Sequence, residues 1–233
     1  MPVTDTGQGG TLARTHEGKP GLPRGRSRLP LTAVRASQRE RLLRSVIAAV
    51  SESGYLAVTV ADIVRRARVS RAAFYAHFAD KEDCFLAATA EGRDLMIAQI
   101  VSATRALPAD ACDEEVLRAA CRAFLAFLAG EPAFARVFYI HMPTAGPRAM
   151  DRLDAAPGLF ANLNRLWHER AREHHPEWPS VPAEAYLALA GATVQLVRSV
   201  VRAGRTDDLP GLEETLVPLH LAVLAARPWP QET

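Results

Sequence analysis

A run of basic side chains with no acidic residue is the part of this 233-residue sequence whose residue types best indicate a chemistry. Between Ile63 and Ala79 lie four arginines, one histidine and no carboxylate, although the chain has 26 acidic residues. Arginine pairs with phosphate and can donate two parallel hydrogen bonds to a guanine edge. The run therefore favours nucleic-acid binding, with a solvated basic helical hairpin as the less specific alternative.

The distribution of charge supports a division of the chain. The net charge is only +2, but residues 1–82 hold 14 basic and 7 acidic side chains, a net of +7. Residues 83–233 hold 14 basic and 19 acidic side chains, a net of −5. This asymmetry predicts a polyanion-binding module joined to a body with a different task.

The elements that must position the basic run begin after a tail. Residues 1–35 are rich in Gly, Pro, Thr and Arg without apolar periodicity, which predicts a disordered basic tail. Its arginines, Arg24, Arg26 and Arg28, are of a type that reaches a DNA backbone or minor groove, although a solvated leader is the simpler reading. Ser37 and Glu40 have the spacing of a capping box, so we expect the first helix to start there and to stop at Gly54.

Two short helices then enclose the basic run. Thr59 and Asp62 form a second capping box, Arg68 and Val69 form a tight joint, and Ser70 caps the next helix. These proportions are typical of a helix-turn-helix. In the third helix we expect one inward face and one outward face. The inward face consists of Ala73, Phe74, His77 and Phe78. The outward face consists of Arg71, Ala72, Tyr75 and Ala76. The two outward alanines would allow the backbone to enter a major groove.

The rest of the chain has helical periodicity and no strand pattern, so the predicted fold class is all-α. Asp80 caps a fourth helix that extends to about Ala106. Further helical segments are predicted near 111–129, 131–142, 148–175, 183–204 and 209–226. Pro157 and Gly158 are expected to interrupt or kink the segment that contains them.

Residues 59–83 (TVADIVRRARVSRAAFYAHFADKED) resemble the DNA-binding signature of TetR/AcrR-type transcriptional regulators. The resemblance covers about residues 37–87, and its most specific part is the pattern Phe-Tyr-x-His-Phe-x-x-Lys. It implies an all-α homodimer with an N-terminal three-helix helix-turn-helix domain and a C-terminal helical domain for ligand binding and dimerisation. The expected domains are then a tail over 1–35, a DNA-binding domain over 36–82, and an effector-binding and dimerisation domain over 83–233.

The resemblance also implies roles for individual residues. Positions that grip phosphates or brace the helices correspond to Thr59, Tyr75, His77 and Lys81. The start of the recognition helix, where bases are read, corresponds to Ser70, Arg71, Ala72 and Ala73, whereas Phe74 and Phe78 correspond to buried anchors. Arg68 departs from the pattern because relatives commonly have glycine there, and Ala61 is small where some relatives read a base. A positive φ at Arg68 would cost about 1 kcal/mol, which an approach of its charge to a phosphate would offset.

Aromatic and soft side chains concentrate between residues 121 and 167. A helical cavity with this lining would suit an apolar or aromatic ligand, whereas ordinary core packing is the alternative for any single residue. The predicted ligand-binding residues are Phe124, Phe127, Phe138, His141, Met142, Asn164, Trp167 and Gln195.

The last two helical segments are apolar on more than one face, so they must be buried, either inside the chain or between two chains. The family resemblance favours a homodimer, which would place two recognition helices about one DNA turn apart on a near-palindromic operator. The predicted interface residues are Tyr186, Leu189, Ala190, Thr193, Val197, Val200, Val201, Leu216 and Val223.

Other classes of function receive little support from the sequence. No phosphate-binding loop or nucleophile elbow occurs, which argues against an enzyme. His168, His174 and His175 lack the spacing of a zinc site, and the three cysteines form no pair, so no metal or other cofactor is expected. With no signal peptide and no apolar stretch of membrane-spanning length, we expect a cytoplasmic protein without a membrane partner.

The predicted function is therefore a sequence-specific regulator that binds double-stranded DNA. A repressor released from its operator by a small apolar or aromatic effector is the form that the resemblance favours. The alternatives are a helical interaction protein with a basic face and a regulator that responds to redox state or metal.

Overall fold

The structure, a computed structural model, describes residues 10–15 and 30–225. These residues form helices and no strand, which confirms the all-α prediction. Between α6 and α7 lie a π-helical turn (Val137–His141) and a 3-10 turn (Met142–Thr144), and a second 3-10 segment (Thr206–Leu212) precedes α9. The α-helices are α1 (Leu31–Ser53), α2 (Val60–Ala67), α3 (Arg71–Tyr75), α4 (Lys81–Arg105), α5 (Asp113–Gly130), α6 (Pro132–Arg136), α7 (Pro147–His174), α8 (Ala183–Arg202) and α9 (Glu213–Leu224).

The chain divides into two compact units. The first contains the described residues up to Asp94 together with Gly130–Ala149, and the second contains Leu95–Ala129 together with the described residues from Met150 onward. Helix α4 begins in the first unit and ends in the second. The first unit thus includes α6 and the turns after it, beyond the three helices of the predicted DNA-binding domain. The functional boundary after Glu82 stays a prediction.

Helix α1 starts earlier than the sequence predicted. It begins at Leu31 after Pro30, so the predicted start at a Ser37–Glu40 capping box is wrong. The preceding residues are compatible with a helix, and Glu40 pairs with Arg44 one turn later instead of reaching back. The helix ends at Gly54, as expected, where φ is 80°. Its predicted apolar stripe is buried: Leu42, Leu43, Val46, Ile47 and Val50.

Part of the predicted tail is bound to the first unit. Residues 11–13 form a turn in which the backbone N–H groups of Thr11 and Leu12 donate to the Glu131 carboxylate at 2.7 and 2.9 Å. The Thr11 hydroxyl donates to the same carboxylate at 2.6 Å. The prediction of disorder over 1–35 is therefore wrong for residues 10–15 and 31–35. Arg24, Arg26 and Arg28 lie outside the described residues.

In the first unit, α4 passes unusually close to Phe134 of α6. A Cβ atom added at Gly92 would lie 2.2 Å from the Phe134 ring, so only glycine leaves room for that ring. Phe134 is almost fully buried as a result. Arg148, in the first turn of α7, pairs with Asp80 and Glu82 at the start of α4. These contacts fix the end of α4 that follows the helix-turn-helix.

In the second unit, ion pairs join α5 to the start of α9. Arg118 contacts Glu213 and Glu214, and Arg122 contacts Glu213 with two hydrogen bonds. Hydrogen bonds from Arg122 and Arg118 hold the pKa of Glu213 below its usual value. The Trp167 indole of α7 donates to the Asp113 carbonyl of α5 at 3.0 Å.

Helix α7 is continuous through Pro157, so the predicted interruption is wrong. Proline removes one backbone hydrogen bond, which a helix of 28 residues with tertiary contacts along its length tolerates. Within residues 10–15 and 30–225, no single helix is both long and apolar enough to span a membrane, although α5 taken together with the segment Pro132–Thr144 meets that measure on length and composition.

Candidate nucleic-acid interface and ligand cavity

The first cap of the helix-turn-helix is the reciprocal one that the sequence predicted. The Thr59 hydroxyl accepts from the Asp62 backbone N–H at 3.2 Å, and the Asp62 carboxylate accepts from the Thr59 backbone N–H at 3.0 Å. The hydroxyl also donates to that carboxylate at 2.6 Å, and the bonds from Thr59 lower the pKa of Asp62. Thr59 therefore fixes where α2 begins, and its contact with a phosphate stays a prediction.

The turn between α2 and α3 depends on an arginine in the left-handed region. Arg68 has φ 54° and ψ 43°, and it is the one non-glycine residue with positive φ among those described. The departure from glycine noted in the sequence thus carries a backbone cost of about 1 kcal/mol. Ser70 then caps α3 by accepting from the Ala73 N–H at 3.0 Å, as predicted.

Helix α3 ends at Tyr75, and together with the turn after it presents the two faces that the sequence predicted. Phe74 and Phe78 are buried, while Ala73 and His77 are half-buried. Arg71, Ala72, Tyr75 and Ala76 are exposed on the opposite side. The Arg71 guanidinium lies 5.7 Å from the centre of the Tyr75 ring, and it donates to the Tyr75 hydroxyl at 3.4 Å. The solvent face thus combines an arginine, an aromatic hydroxyl and two small residues, which suits a major groove.

Lys81 holds the loop between α1 and α2. Its ammonium donates to the carbonyls of Tyr55 and Val58, both at 2.8 Å, and lies 4.0 Å from the centre of the Tyr55 ring. Burial lowers the pKa of this lysine. Because two of its three N–H groups are committed to the backbone, the geometry favours bracing over phosphate binding for Lys81.

His77 lies against α1. Its pKa is lowered by burial and by the positive charges of Arg35 and Arg39, and its Nε2 atom is buried with no hydrogen-bond partner among the described residues. A neutral ring in this position packs between α3 and α1. Contact with a phosphate would require the ring to turn outward, so that role of His77 stays a prediction.

The second unit contains a cavity of about 530 Å³ that is open to solvent on one side. Residues from the end of α4, the following loop, α5, α7, α8 and α9 form its wall. Phe124, Phe160 and Trp167 supply aromatic surface, and the Phe124 and Phe160 rings meet edge to face at 5.4 Å. Such a mainly apolar wall with a few polar groups is typical of small-molecule sites.

The cavity brings together some of the predicted ligand residues and not others. Phe124, Asn164 and Trp167 line it, whereas Phe127 is buried elsewhere in the second unit and Gln195 is exposed on α8. Phe138, His141 and Met142 belong to the first unit and do not line the cavity, so they are not part of this site. Sequence reasoning missed Ile100, Thr104 and Pro108, which join the wall from α4 and the loop after it, and His220 of α9.

Most of the predicted dimer residues are buried inside the single chain. This holds for Tyr186, Leu189, Ala190, Val197, Val200, Val201 and Leu216, while Thr193 and Val223 are half-buried. The Tyr186 hydroxyl contacts His168 Nδ1 at 2.8 Å, and Ala190, Thr193 and Leu216 line the cavity. The sequence pattern therefore marked the internal face of α8 and α9, because burial within a chain and burial between chains favour the same residue types.

The histidines and cysteines have structural explanations. His168 is fully buried, and His174 and His175 both lie near the Asp113 carboxylate. Within the described part of the chain, no three His, Cys, Asp or Glu side chains are placed to hold a metal ion. Burial raises the pKa of Cys84, and it raises that of Cys121 to about 12, which disfavours the reactive thiolate.

A helix-turn-helix with an exposed basic recognition face, joined to a helical unit with a cavity, defines a DNA-binding protein of the regulator class. Residues 43–88 match the family model described as "Bacterial regulatory proteins, tetR family". This segment of the chain, which holds the helix-turn-helix, is therefore similar to the N-terminal segment of TetR-family regulators.

Similar solved structures have the same fold across both units. The fatty acid degradation regulator FadR from Bacillus halodurans has a TM-score of 0.71 at 18% identity, over 79% of this chain and 94% of that one. FadR from Bacillus subtilis, solved in complex with stearoyl-CoA, has a TM-score of 0.69 at 16% identity, over 78% and 97%. A TetR-like regulator from Rhodococcus sp. RHA1 has a TM-score of 0.60 at 22% identity, over 84% and 99%. No curated protein matches the chain in sequence.

Replacement of Arg71 tests the recognition face. We expect Arg71→Ala to weaken operator binding by about 1–3 kcal/mol and to relax selectivity at one base position, because the exposed guanidinium is the group predicted to read a base edge. The free energy of unfolding should change by less than about 0.5 kcal/mol, since the side chain supports no core contact. Anisotropy titrations on operator variants measure the first quantity, with Arg172→Ala, exposed on α7 of the second unit, as the control. Unchanged base selectivity would contradict the assignment.

Replacement of Lys81 separates bracing from phosphate binding. We expect Lys81→Met to lower the free energy of unfolding by about 1–3 kcal/mol, because two partly buried carbonyls lose their donor. Urea denaturation measures this loss. If stability is instead unchanged and the slope of log K against log salt falls by about 1, Lys81 is a phosphate ligand and the bracing role is wrong.

Proposed function

We propose that the protein is a repressor that binds a near-palindromic operator as a homodimer and leaves it when a small apolar or aromatic ligand fills the cavity of the second unit. The observation that carries the proposal is the coexistence of an exposed, acid-free recognition face on α3 and a separate cavity of about 530 Å³. The cavity is large enough for a ligand of ordinary metabolite size.

The composition of the cavity wall supports an amphipathic ligand. Most of the wall is apolar, but the exposed residues Arg105 and Arg170 also belong to it. Neither forms an ion pair within the described part of the chain. The Bacillus subtilis FadR neighbour was solved with stearoyl-CoA, a molecule with an apolar chain and an anionic part. Stearoyl-CoA is therefore a reasonable first probe for this cavity.

The route from ligand to DNA runs along α4. Ile100, Val101, Thr104 and Arg105, in its last turns, line the cavity. Lys81, its first residue, holds the loop before the helix-turn-helix. Under this proposal the last turns of α4 can occupy more than one position, and a ligand with a higher affinity for one of these positions would shift the helix towards it. The loop before α2 would move with the helix.

The proposed dimer surface is the solvent face of α8 and α9, not the set of residues that the sequence indicated. Leu187 is 50% exposed on α8, and Gly191 lies one turn further on the same side. Ala188, Gln195, Pro218 and Ala222 are also exposed there. An exposed leucine among small residues permits close helix packing, and a two-fold interface of this kind pairs the same surface of both chains.

Binding to DNA upstream of the gene, followed by ligand release, tests the regulatory proposal. We expect a labelled fragment of the flanking intergenic DNA to bind in the presence of excess competitor DNA, and stearoyl-CoA to lower that affinity at least tenfold. Footprinting should show two half-sites about one helical turn apart. Binding that competitor DNA abolishes would favour the alternative of an unspecific basic surface. Tighter operator binding with stearoyl-CoA would contradict release.

A charge on α8 tests the proposed dimer. We expect Leu187→Glu to convert the dimer to a monomer in sedimentation and to weaken operator binding at least tenfold, because the two half-sites are then bound independently. Leu95→Glu, at a residue 47% exposed on α4, introduces the same charge elsewhere and should leave the dimer intact. A wild-type monomer, or a Leu187→Glu dimer, would overturn the interface.

A further inference from the structure

The wall of the cavity holds two polar atoms without a protein partner. His220 of α9 is only 4% exposed, and it belongs to the cavity wall. Thr193 of α8 belongs to the same wall, and its hydroxyl oxygen is buried with no hydrogen-bond partner among the described residues. The Thr193 hydroxyl is a buried polar group without its usual partner, and Nε2 of His220 has no hydrogen bond among the described residues, so the two together point to a ligand that supplies the missing bonds.

The hydrogen bond made by Nδ1 of His220 determines whether Nε2 of the same ring is a donor or an acceptor. Nδ1 lies 2.7 Å from the Leu216 carbonyl oxygen, which can only accept, so Nδ1 carries a proton. Burial lowers the pKa of His220, which keeps the ring neutral. A neutral ring protonated on Nδ1 has a lone pair on Nε2 and no proton there. Nε2 is therefore an acceptor, and within the described part of the chain it has no donor.

Thr193 and His220 each share a helix face with another residue of the cavity wall. Ala190 and Thr193 are three residues apart on α8, and Leu216 and His220 are four residues apart on α9, so each pair shares one face of its helix. All four line the cavity. The wall at this point therefore has an acceptor on α9 and a hydroxyl on α8, set among small and apolar side chains.

We propose that the effector carries a hydroxyl group, which donates to Nε2 of His220 and accepts from the hydroxyl of Thr193. A hydroxyl suits both atoms because it has one proton to donate and lone pairs to accept with. An ether, ketone or carboxylate at this position would offer only lone pairs to Nε2 and would leave the acceptor unpaired. This inference rests on the proposed function, since it assumes that the cavity is the effector site.

A matched pair of ligands tests the inference. The probes are 4-hexylphenol and its methyl ether, 4-hexylanisole, which differ in the presence of the donor proton while keeping the same apolar body. We expect the wild-type protein to bind the phenol about tenfold more tightly in calorimetric titrations, because the ether leaves a buried acceptor without a donor. We expect His220→Phe to abolish this preference, and Thr193→Val to reduce it. Arg172→Ala, exposed on α7 and outside the cavity wall, should leave it unchanged.

The outcomes separate this inference from the proposed function. If both probes bind the wild-type protein equally, or if His220→Phe keeps the preference, the hydroxyl reading is wrong while the cavity remains a ligand site. If neither probe binds at millimolar concentration, both the hydroxyl reading and the apolar cavity site are wrong, whereas DNA binding is judged by its own titration. Where His220→Phe does not fold, the wild-type ratio and Thr193→Val decide the question.

Discussion

A recognition helix of five residues cannot hold its own shape in water, and the rest of the DNA-binding unit exists to hold it. Helix formation requires a costly first turn, so α3 depends on tertiary support. Ser70 satisfies one of its free N–H groups, and Phe74 anchors it to the core. Arg68 accepts a left-handed backbone so that α3 leaves α2 at the required angle. The first unit therefore tolerates a backbone cost at Arg68 because that conformation orients α3.

The features that the sequence predicted correctly are those set by short-range interactions. The Thr59–Asp62 capping box, the Ser70 cap and the two faces of α3 each depend on residues within a few positions of one another. Helical periodicity and capping act at that range, so they are visible in the sequence. The error at Ser37 has the same origin. A capping-box pattern is compatible with a helix interior when the preceding residues also favour a helix, and Glu40 then pairs with Arg44.

The features that the sequence could not provide depend on distant residues. The sequence left Lys81 with two possible roles, phosphate binding or bracing, and the contacts that favour bracing come from the carbonyls of Tyr55 and Val58, more than twenty positions earlier, which accept its hydrogen bonds. Phe138 and His141 are as aromatic and polar as the true cavity residues, yet they fold into the other unit. The apolar face of α8 indicated burial correctly, but only the fold shows that Tyr186 and Val197 are buried within the chain. The type of a residue indicates whether its side chain must be buried, but it does not indicate which part of the protein, or which other chain, covers that side chain.

The same long-range contacts explain how a ligand in one unit would act on DNA bound by the other. Helix α4 runs for 25 residues without a proline, so its last turns, which line the cavity, are joined to Lys81 by continuous backbone hydrogen bonds. Lys81 holds the carbonyl of Val58, the residue next to the cap of α2. A displacement of α4 would therefore reach Thr59 through the hydrogen bond from Lys81 to Val58 and the peptide bond that follows it. Since α3 follows α2 through the Arg68 turn, a small shift at that cap would change the direction of α3, and under the proposed function a ligand that prefers one of two positions of α4 would control DNA binding.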